Sequence, residues 1–195
     1  MHIQEFTNQE EWVAAGLKLI PQSGKIALSG GTTPAPLYKQ LPQSPTYYQI
    51  DERYVPKADK DSNQKMIREA FSPQKFYAFN TSLPIEESLK EYESHLPENF
   101  DLTILGIGED GHFASLFPHQ NPQGKTAHTQ TENFAIKDRL TLTAETILKS
   151  KAILVLLKNK GQVLEELKNP TKSPEEFPAL KLDNHPNLSI LCLKN

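Results

Sequence analysis

The sequence is poor in cysteine. Cys192 is its only one, which excludes an internal disulfide and a metal cluster built on several cysteines. Cys192 lies within the apolar segment 189–193 (SILCL), so we expect it to be a packed strand residue. The histidines show no H-x-x-x-H or Cys/His spacing. The sequence therefore predicts no metal site.

Long apolar runs and basic blocks are also missing. The longest apolar run, 152–157, is much shorter than the about 20 residues that a membrane-spanning helix needs. The first residues, MHIQEFTNQEEW, are acidic and polar, unlike a signal peptide. The formal net charge is −3, which argues against nucleic acid as the main partner. We expect a cytoplasmic protein that binds neither membranes nor nucleic acid.

Short apolar runs alternate with segments of helical pattern along the chain. Most of the runs are apolar throughout, which is typical of parallel strands covered on both faces. Strands are predicted at 25–29, 47–50, 76–79, 102–105, 152–157 and 188–193. Helices are predicted after a capping box that begins at Thr7, and at 34–41, 61–71, 84–96, 143–149 and 159–167.

This alternation predicts an α/β fold of Rossmann-like type. We expect a three-layer, open, mostly parallel sheet with helices on both faces. The length of 195 residues and the lack of a linker favour one domain over 1–195. Two polar segments, 118–134 and 168–178, are predicted to be long surface loops.

A glycine-rich segment joins the first of these strands to a helix. It combines two glycines with three hydroxyl side chains: Ser29, Gly30, Gly31, Thr32 and Thr33. Exposed backbone N–H groups, hydroxyls and a helix N-terminus together can cradle a phosphate. A simple capped turn is the alternative, but a turn needs fewer of these groups. No Gly-Lys-Ser/Thr follows, so the segment is not a Walker A loop.

Charged residues follow the next predicted strand in the order Asp51, Glu52, Arg53. The carboxyl ends of parallel strands meet at one edge of a sheet, so these residues should lie near the glycine-rich segment. Arg53 could hold a phosphate or an oxyanion, and Asp51 could orient a sugar hydroxyl or act as a base. A solvated ion pair is an equally simple alternative. Helix capping explains Ser62.

The segment 105–118, LGIGEDGHFASLFP, places Asp110 and His112 two residues apart on a glycine-framed loop after a predicted strand. Histidine is the side chain best suited to take a proton near neutral pH. A catalytic pair is therefore favoured over a structural histidine. The glycines spell G-x-G-x-x-G, but a polar loop follows where a dinucleotide site needs a helix and a second strand with an acidic end. Nicotinamide binding is not expected.

Two further cations are candidate anion contacts. Arg139 precedes the strongly helical segment 141–148, and Lys160 follows the apolar run 152–157. Taken singly, each is also an ordinary surface charge. The remaining histidines are expected to face solvent: His2, His95, His119, His128 and His185.

Four segments in this order resemble the 6-phosphogluconolactonase family. They are SGGTTP (29–34), DERYVP (51–56) followed by SN (62–63), LGIGEDGHFASLFP (105–118) and DRLTLT (138–143). The resemblance covers residues 24–182. Related glucosamine-6-phosphate deaminases share the D-G-H core but continue with Asn-Glu-Pro, where this chain has Leu116-Phe117-Pro118. The missing glutamate favours the lactonase.

The resemblance implies hydrolysis of 6-phospho-D-glucono-1,5-lactone in the pentose phosphate pathway, without a metal or organic cofactor, by a monomer or small homo-oligomer. It implies His112 as general base, with Asp110 and Asp51 as further catalytic residues. The implied substrate contacts are Ser29, Gly30, Gly31, Thr32, Thr33, Arg53, Arg139 and Lys160. A deaminase or isomerase with Asp51 as its base and a non-catalytic sugar-phosphate sensor remain the alternatives.

Overall fold

The computed structural model, which describes residues 1–194, contains ten strands and six helices. In chain order they are β1 (His2–Phe6), α1 (Gln9–Leu17), β2 (Lys25–Leu28), α2 (Ala35–Tyr38), β3 (Thr46–Gln49), β4 (Asp51–Arg53), α3 (Asn63–Phe71), β5 (Phe76–Tyr77), α4 (Ile85–His95), β6 (Leu102–Leu105), β7 (Thr126–Gln130), β8 (Asp138–Leu142), α5 (Ala144–Leu148), β9 (Ile153–Lys158), α6 (Gly161–Lys168) and β10 (Leu188–Leu193). A 3₁₀ turn, Pro178–Leu182, precedes β10.

The strands form two sheets. The larger has the order β1-β10-β9-β6-β2-β3-β5, and its pairings are parallel. The smaller is antiparallel, in the order β4-β8-β7. The chain passes between them at Ile50, whose N–H donates to Leu28 O (3.0 Å) while its carbonyl accepts from Leu142 N (2.8 Å).

Helices cover both faces of the larger sheet. Along β9, Leu154 and Leu156 pack with α1, α2 and α3, whereas Val155 and Leu157 pack with α4, α5 and α6. Each such side chain contributes about 1.5–3 kcal/mol by leaving water. Both faces of the strands are thus apolar, which explains their continuous apolar runs. The predicted three-layer, mostly parallel α/β fold is confirmed.

The six strands predicted from apolar runs are present, but four others were missed. They are β1, β4, β7 and β8. The prediction of a surface loop over 118–134 is wrong at β7, and the helical interpretation of 141–148 is wrong before Ala144 because β8 occupies 138–142. Strands β1 and β7 carry polar side chains that stay partly exposed, β4 is three residues long, and buried polar residues interrupt β8. All four therefore lack the apolar signal of a buried strand.

The remaining sequence predictions concern Cys192, His185, the start of α1, the end of the domain and membrane-spanning helices. Cys192 is buried in β10 as expected. His185 is buried, not solvent-facing, because its Nε2–H donates to the Ser150 carbonyl (2.8 Å) and its Nδ1 accepts from Asn187 N (3.3 Å). Helix α1 is capped by Asn8, so the box at Thr7 is wrong. The predicted domain ends at Asn195, which lies outside the described residues. Across residues 1–194, no helix has the length and apolarity to cross a membrane.

Candidate active site

A cavity of about 290 Å³ lies where the loops after β2, β6 and β9 meet the smaller sheet. This is the carboxyl edge of the larger sheet, the usual ligand edge of open α/β folds. Each predicted site residue except Asp110 lines it: Ser29, Gly30, Gly31, Thr32, Thr33, Asp51, Arg53, His112, Arg139 and Lys160. The topology therefore brings together side chains that are more than a hundred residues apart in sequence.

Asp110 lies behind His112 and fixes its imidazole. Asp110 Oδ1 is 2.5 Å from His112 Nδ1 and also accepts from the His112 backbone N–H (3.2 Å). A neutral imidazole in this arrangement carries its proton on Nδ1, which leaves the Nε2 lone pair as the basic position. Burial raises the pKa of the Asp110 carboxyl, but the hydrogen bond and charge of His112 outweigh it, so this pKa lies below its usual value.

The loop that carries this dyad closes on itself. Gly108 N–H donates to His112 O (2.8 Å), and Gly111 N–H donates to Gly108 O (3.0 Å). A Cβ on Gly108 would overlap the imidazole ring. Glycine is therefore required at 108 because the ring lies directly against the backbone there.

Asp51 is buried beside the cavity and is held by two residues that the sequence did not single out. Its Oδ2 accepts from Ser115 Oγ (2.8 Å), and its backbone carbonyl accepts from Asn63 Nδ2 (2.9 Å). Ser115 lies in the segment 105–118 and Asn63 in the SN pair, so both were inside recognised motifs. Their contacts depend on elements distant in sequence, which no local pattern reveals.

Glu52 is a structural residue and not a member of a solvated ion pair. Its buried carboxylate accepts from five donors within 3.0 Å: Gln49 Nε2, Arg53 N, Ser62 Oγ, Asn63 N and Gln64 N. Burial raises its pKa against these hydrogen bonds. Glu52 thereby joins β4 to the N-terminus of α3. Ser62 caps α3 as predicted (Lys65 N, 3.2 Å), but capping is not its only contact.

Three cations surround the cavity. Arg53 and Arg139 are opposite each other in the register of β4 and β8, an unfavourable placement of like charges unless an anion lies between them. Burial, followed by the charge of Arg53, lowers the pKa of the Arg139 guanidinium. The Lys160 ammonium donates to the Ile107 carbonyl and lies 3.9 Å from Glu109 Oε1. A cavity with these three cations in its wall suits a multiply charged anion.

Three buried polar atoms of the cavity walls have no hydrogen-bond partner: Ser29 Oγ, Arg53 Nε and Asn63 Oδ1. Buried polar atoms in folded proteins are nearly always paired, so a group of unpaired ones around one cavity indicates a polar ligand. A Cβ on Gly30 would overlap the Asn63 amide, which makes glycine necessary above it. Arg53 supplies a donor for such a ligand, whereas Asn63 supplies an acceptor.

Two aromatic rings flank the imidazole; the sequence pointed to Phe117 only as the replacement of a glutamate, and to Phe134 not at all. The ring centroids of Phe117 and Phe134 lie 5.1 and 5.6 Å from that of His112. Both phenylalanines line the cavity. The site thus combines a histidine packed against aromatic rings with three cationic side chains. Over residues 1–194, no group of three or more His, Cys, Asp or Glu side chains is placed to hold a metal ion.

The family model for glucosamine-6-phosphate isomerases/6-phosphogluconolactonase matches residues 10–190. A probable 6-phosphogluconolactonase of Dictyostelium discoideum is 33% identical over 85% of this chain and 82% of its own length. The 6-phosphogluconolactonase of Thermotoga maritima is 34% identical, with 82% of each chain covered.

Solved structures are similar over nearly the whole chain. The crystal structure of the Thermotoga maritima 6-phosphogluconolactonase has a TM-score of 0.81 at 26% identity, with 100% of this chain and 99% of that chain covered. A monomeric glucosamine-6-phosphate deaminase has a TM-score of 0.87 at 24% identity, with 98% and 97% covered. Because the deaminase is only 24% identical, its similarity to this chain shows a shared fold and nothing more.

Proposed function

The chain belongs to the glucosamine-6-phosphate isomerase/6-phosphogluconolactonase family, and we propose that it hydrolyses 6-phospho-D-glucono-1,5-lactone to 6-phospho-D-gluconate, the second step of the oxidative pentose phosphate pathway. The curated relatives at 33% and 34% identity carry the name of this activity. The observation that carries the proposal is the placement of the Asp110–His112 dyad and the Arg53–Arg139 pair around one cavity.

His112 is the general base of the proposed reaction. Its Nε2 takes a proton from water as the water oxygen bonds to the lactone carbonyl carbon. When the tetrahedral intermediate collapses, the bond from that carbon to the ring oxygen breaks and His112 returns the proton to the ring oxygen. Asp110 stabilises the imidazolium that forms between these two steps and keeps Nε2 facing the substrate. The new carboxylic acid then ionises in water.

The cations of the cavity wall are the proposed anchor for the substrate phosphate. Arg53, Arg139 and Lys160 supply charge, and the glycine-rich segment 29–33 supplies N–H and hydroxyl donors. Since the phosphate is remote from the reacting carbonyl, its binding energy serves to position that carbonyl. Asp51 supplies acceptor atoms for the hydroxyl groups of the sugar.

One observation favours lactone hydrolysis over deamination within the family. Deaminases carry Asn-Glu at the positions of Leu116 and Phe117, and both of these side chains are buried here. The Phe117 ring packs against the imidazole of His112. An apolar ring therefore occupies the place of the acidic group on which the deaminase reaction relies.

Purified protein should hydrolyse 6-phosphogluconolactone well above its spontaneous rate and leave glucosamine 6-phosphate unchanged. Product formation is followed by coupling 6-phosphogluconate to its NADP-dependent oxidation. His112→Ala should abolish most of the enzymatic rate but still bind 6-phosphogluconate. Turnover of glucosamine 6-phosphate with the lactone left at its spontaneous rate would refute the proposal.

The proposal treats residues 1–195 as one catalytic domain in the cytoplasm, acting as a monomer or small homo-oligomer. The family match over 10–190 supports a single unit, as does a cavity whose walls come from residues between Ser29 and Lys160.

A further inference from the structure

Phe134 is a large apolar residue that remains 42% exposed. It lies in the loop 131–137 between β7 and β8, at the wall of the cavity. The loop is closed by the hydrogen bond from Thr131 N to Lys137 O (3.2 Å) and by the Lys137–Glu132 ion pair. Single exposed apolar residues are common, so the exposure of Phe134 does not by itself indicate a function. The two contacts made by its ring do indicate one.

One contact of Phe134 is with the base. Its ring meets the His112 imidazole at 76°, with 5.6 Å between centroids, in the edge-to-face geometry that aromatic pairs favour. Asp110 and Phe117 also hold the imidazole. Phe134 is therefore a third contact of the imidazole, in addition to Asp110 and Phe117.

The other contact is with the phosphate anchor. The Arg139 guanidinium lies over the Phe134 ring, with Cζ 5.4 Å from the centroid, a cation–π arrangement. Arg139 Nε also donates to Ile136 O (3.1 Å) in the same loop. The loop thus holds the guanidinium by both a backbone and an aromatic contact, and the same aromatic ring contacts the imidazole.

We propose that Phe134 is a positioning residue that holds the Arg139 guanidinium and the His112 imidazole in fixed positions relative to each other. A lactone anchored by its phosphate then presents its carbonyl to the base. This inference rests on the proposed function. It makes Phe134 a determinant of specificity, because only a substrate with a phosphate benefits from the alignment. A lactone without phosphate needs His112 alone.

The test compares Phe134→Ala, Phe134→Tyr and wild type on two lactones, 6-phosphogluconolactone and unphosphorylated D-glucono-1,5-lactone. The two lost contacts together are of a size that changes a rate about tenfold. For Phe134→Ala we expect kcat on the phosphorylated lactone to fall about tenfold, and kcat/KM on the unphosphorylated one to fall less than about threefold. Phe134→Tyr retains the ring and should stay within about twofold of wild type.

Two further measurements separate positioning from binding and from folding. The affinity for 6-phosphogluconate, by calorimetry, should change less than about threefold in Phe134→Ala because Arg53, Lys160 and the glycine-rich segment remain. Tyr77→Ala is the matched control: Tyr77 is 39% exposed and stacks on a histidine, His95, at 4.7 Å, but lies away from the cavity. It should leave kcat on both lactones unchanged.

Equal losses of Phe134→Ala on both lactones, or no loss on either, would overturn the inference. The same holds for a tenfold loss of 6-phosphogluconate affinity with kcat unchanged. Failure of the proposed function is recognised separately, because wild type itself would then leave 6-phosphogluconolactone at its spontaneous rate. That result would also refute the inference about Phe134.

Discussion

Replacement of Asp110 by asparagine tests the dyad directly. Asp110→Asn keeps the size of the side chain but removes the charge 2.5 Å from His112 Nδ1. The imidazolium that forms when His112 takes a proton then lacks its counter-ion. In addition, the amide NH₂ group can turn towards Nδ1 and stabilise the tautomer whose Nε2 carries the proton and cannot act as a base.

The size of the effect follows from the geometry. Two charges centred roughly 4 Å apart attract by about 1 kcal/mol in water and about 4 kcal/mol near a protein surface. The His112 and Asp110 side chains are 22% and 32% exposed, which places the dyad between these limits. A loss of about 2.7 kcal/mol corresponds to a fall in kcat of about 100-fold.

Steady-state kinetics on 6-phosphogluconolactone measure this loss. KM should change less than about threefold, because Asp110 does not line the cavity. The pKa of Asp110 lies below its usual value, so its contribution is present above the unfolded pKa of about 3.9 and is lost as the pH falls through the folded pKa. The deficit of the variant should therefore be constant around neutral pH and shrink only in acid.

Glu91→Gln is the control for the loss of a carboxylate beside a histidine, since it breaks the exposed Glu91–His95 pair (3.2 Å) away from the cavity. Its kcat should equal that of wild type. If folded Asp110→Asn retained kcat within about threefold of wild type, Asp110 would not assist His112 and the argument for the dyad would be wrong.

Three other substitutions test separate parts of the site. Arg139→Gln should raise KM for the phosphorylated lactone at least about tenfold, since a charge-assisted hydrogen bond is worth about 1.5–3 kcal/mol; titration with 6-phosphogluconate measures the same loss. Glu52→Gln should lower the free energy of unfolding in urea by about 2–3 kcal/mol, because an NH₂ group then faces N–H donors. Gly108→Ala should reduce kcat about 100-fold or more with thermal stability largely kept, because the added Cβ displaces the His112 ring; unchanged kcat would contradict the packing described here.

The larger sheet was predictable because each of its inner strands is buried on both faces. Strands such as β6 and β9 are apolar except for Thr103 and the terminal Lys158, and a nearly continuous apolar run of this length is the signal of a buried parallel strand. The smaller sheet gives no such signal. In β7 the buried residues Thr126 and Thr129 do not follow the alternation of a half-buried strand, and β4 is three residues long, so both depend on pairing with β8 rather than on local preference.

The residues of the candidate site also fall into a group that the sequence predicts and a group that it does not. Arg53 and His112 were predictable, because each lies in a motif that follows a strand whose end points to the ligand edge. Glu52, Ser115 and Phe134 were not, because what they do is decided by partners on other elements, which the fold and not a local motif brings to them. A sequence pattern can name a residue that must face a ligand, but it does not contain the packing that holds that residue in place.

The position of Ile50 between the two sheets has a consequence for substrate binding. Its N–H belongs to the parallel sheet and its carbonyl to the antiparallel one, and Asp51 and Arg53 follow it immediately. The two sheets are thereby held together one residue before Asp51, a polar residue of the cavity wall. For the proposed reaction this means that the phosphate anchor is preorganised before the substrate binds, so little of the binding free energy is consumed in reorganising the protein and more remains to lower the barrier.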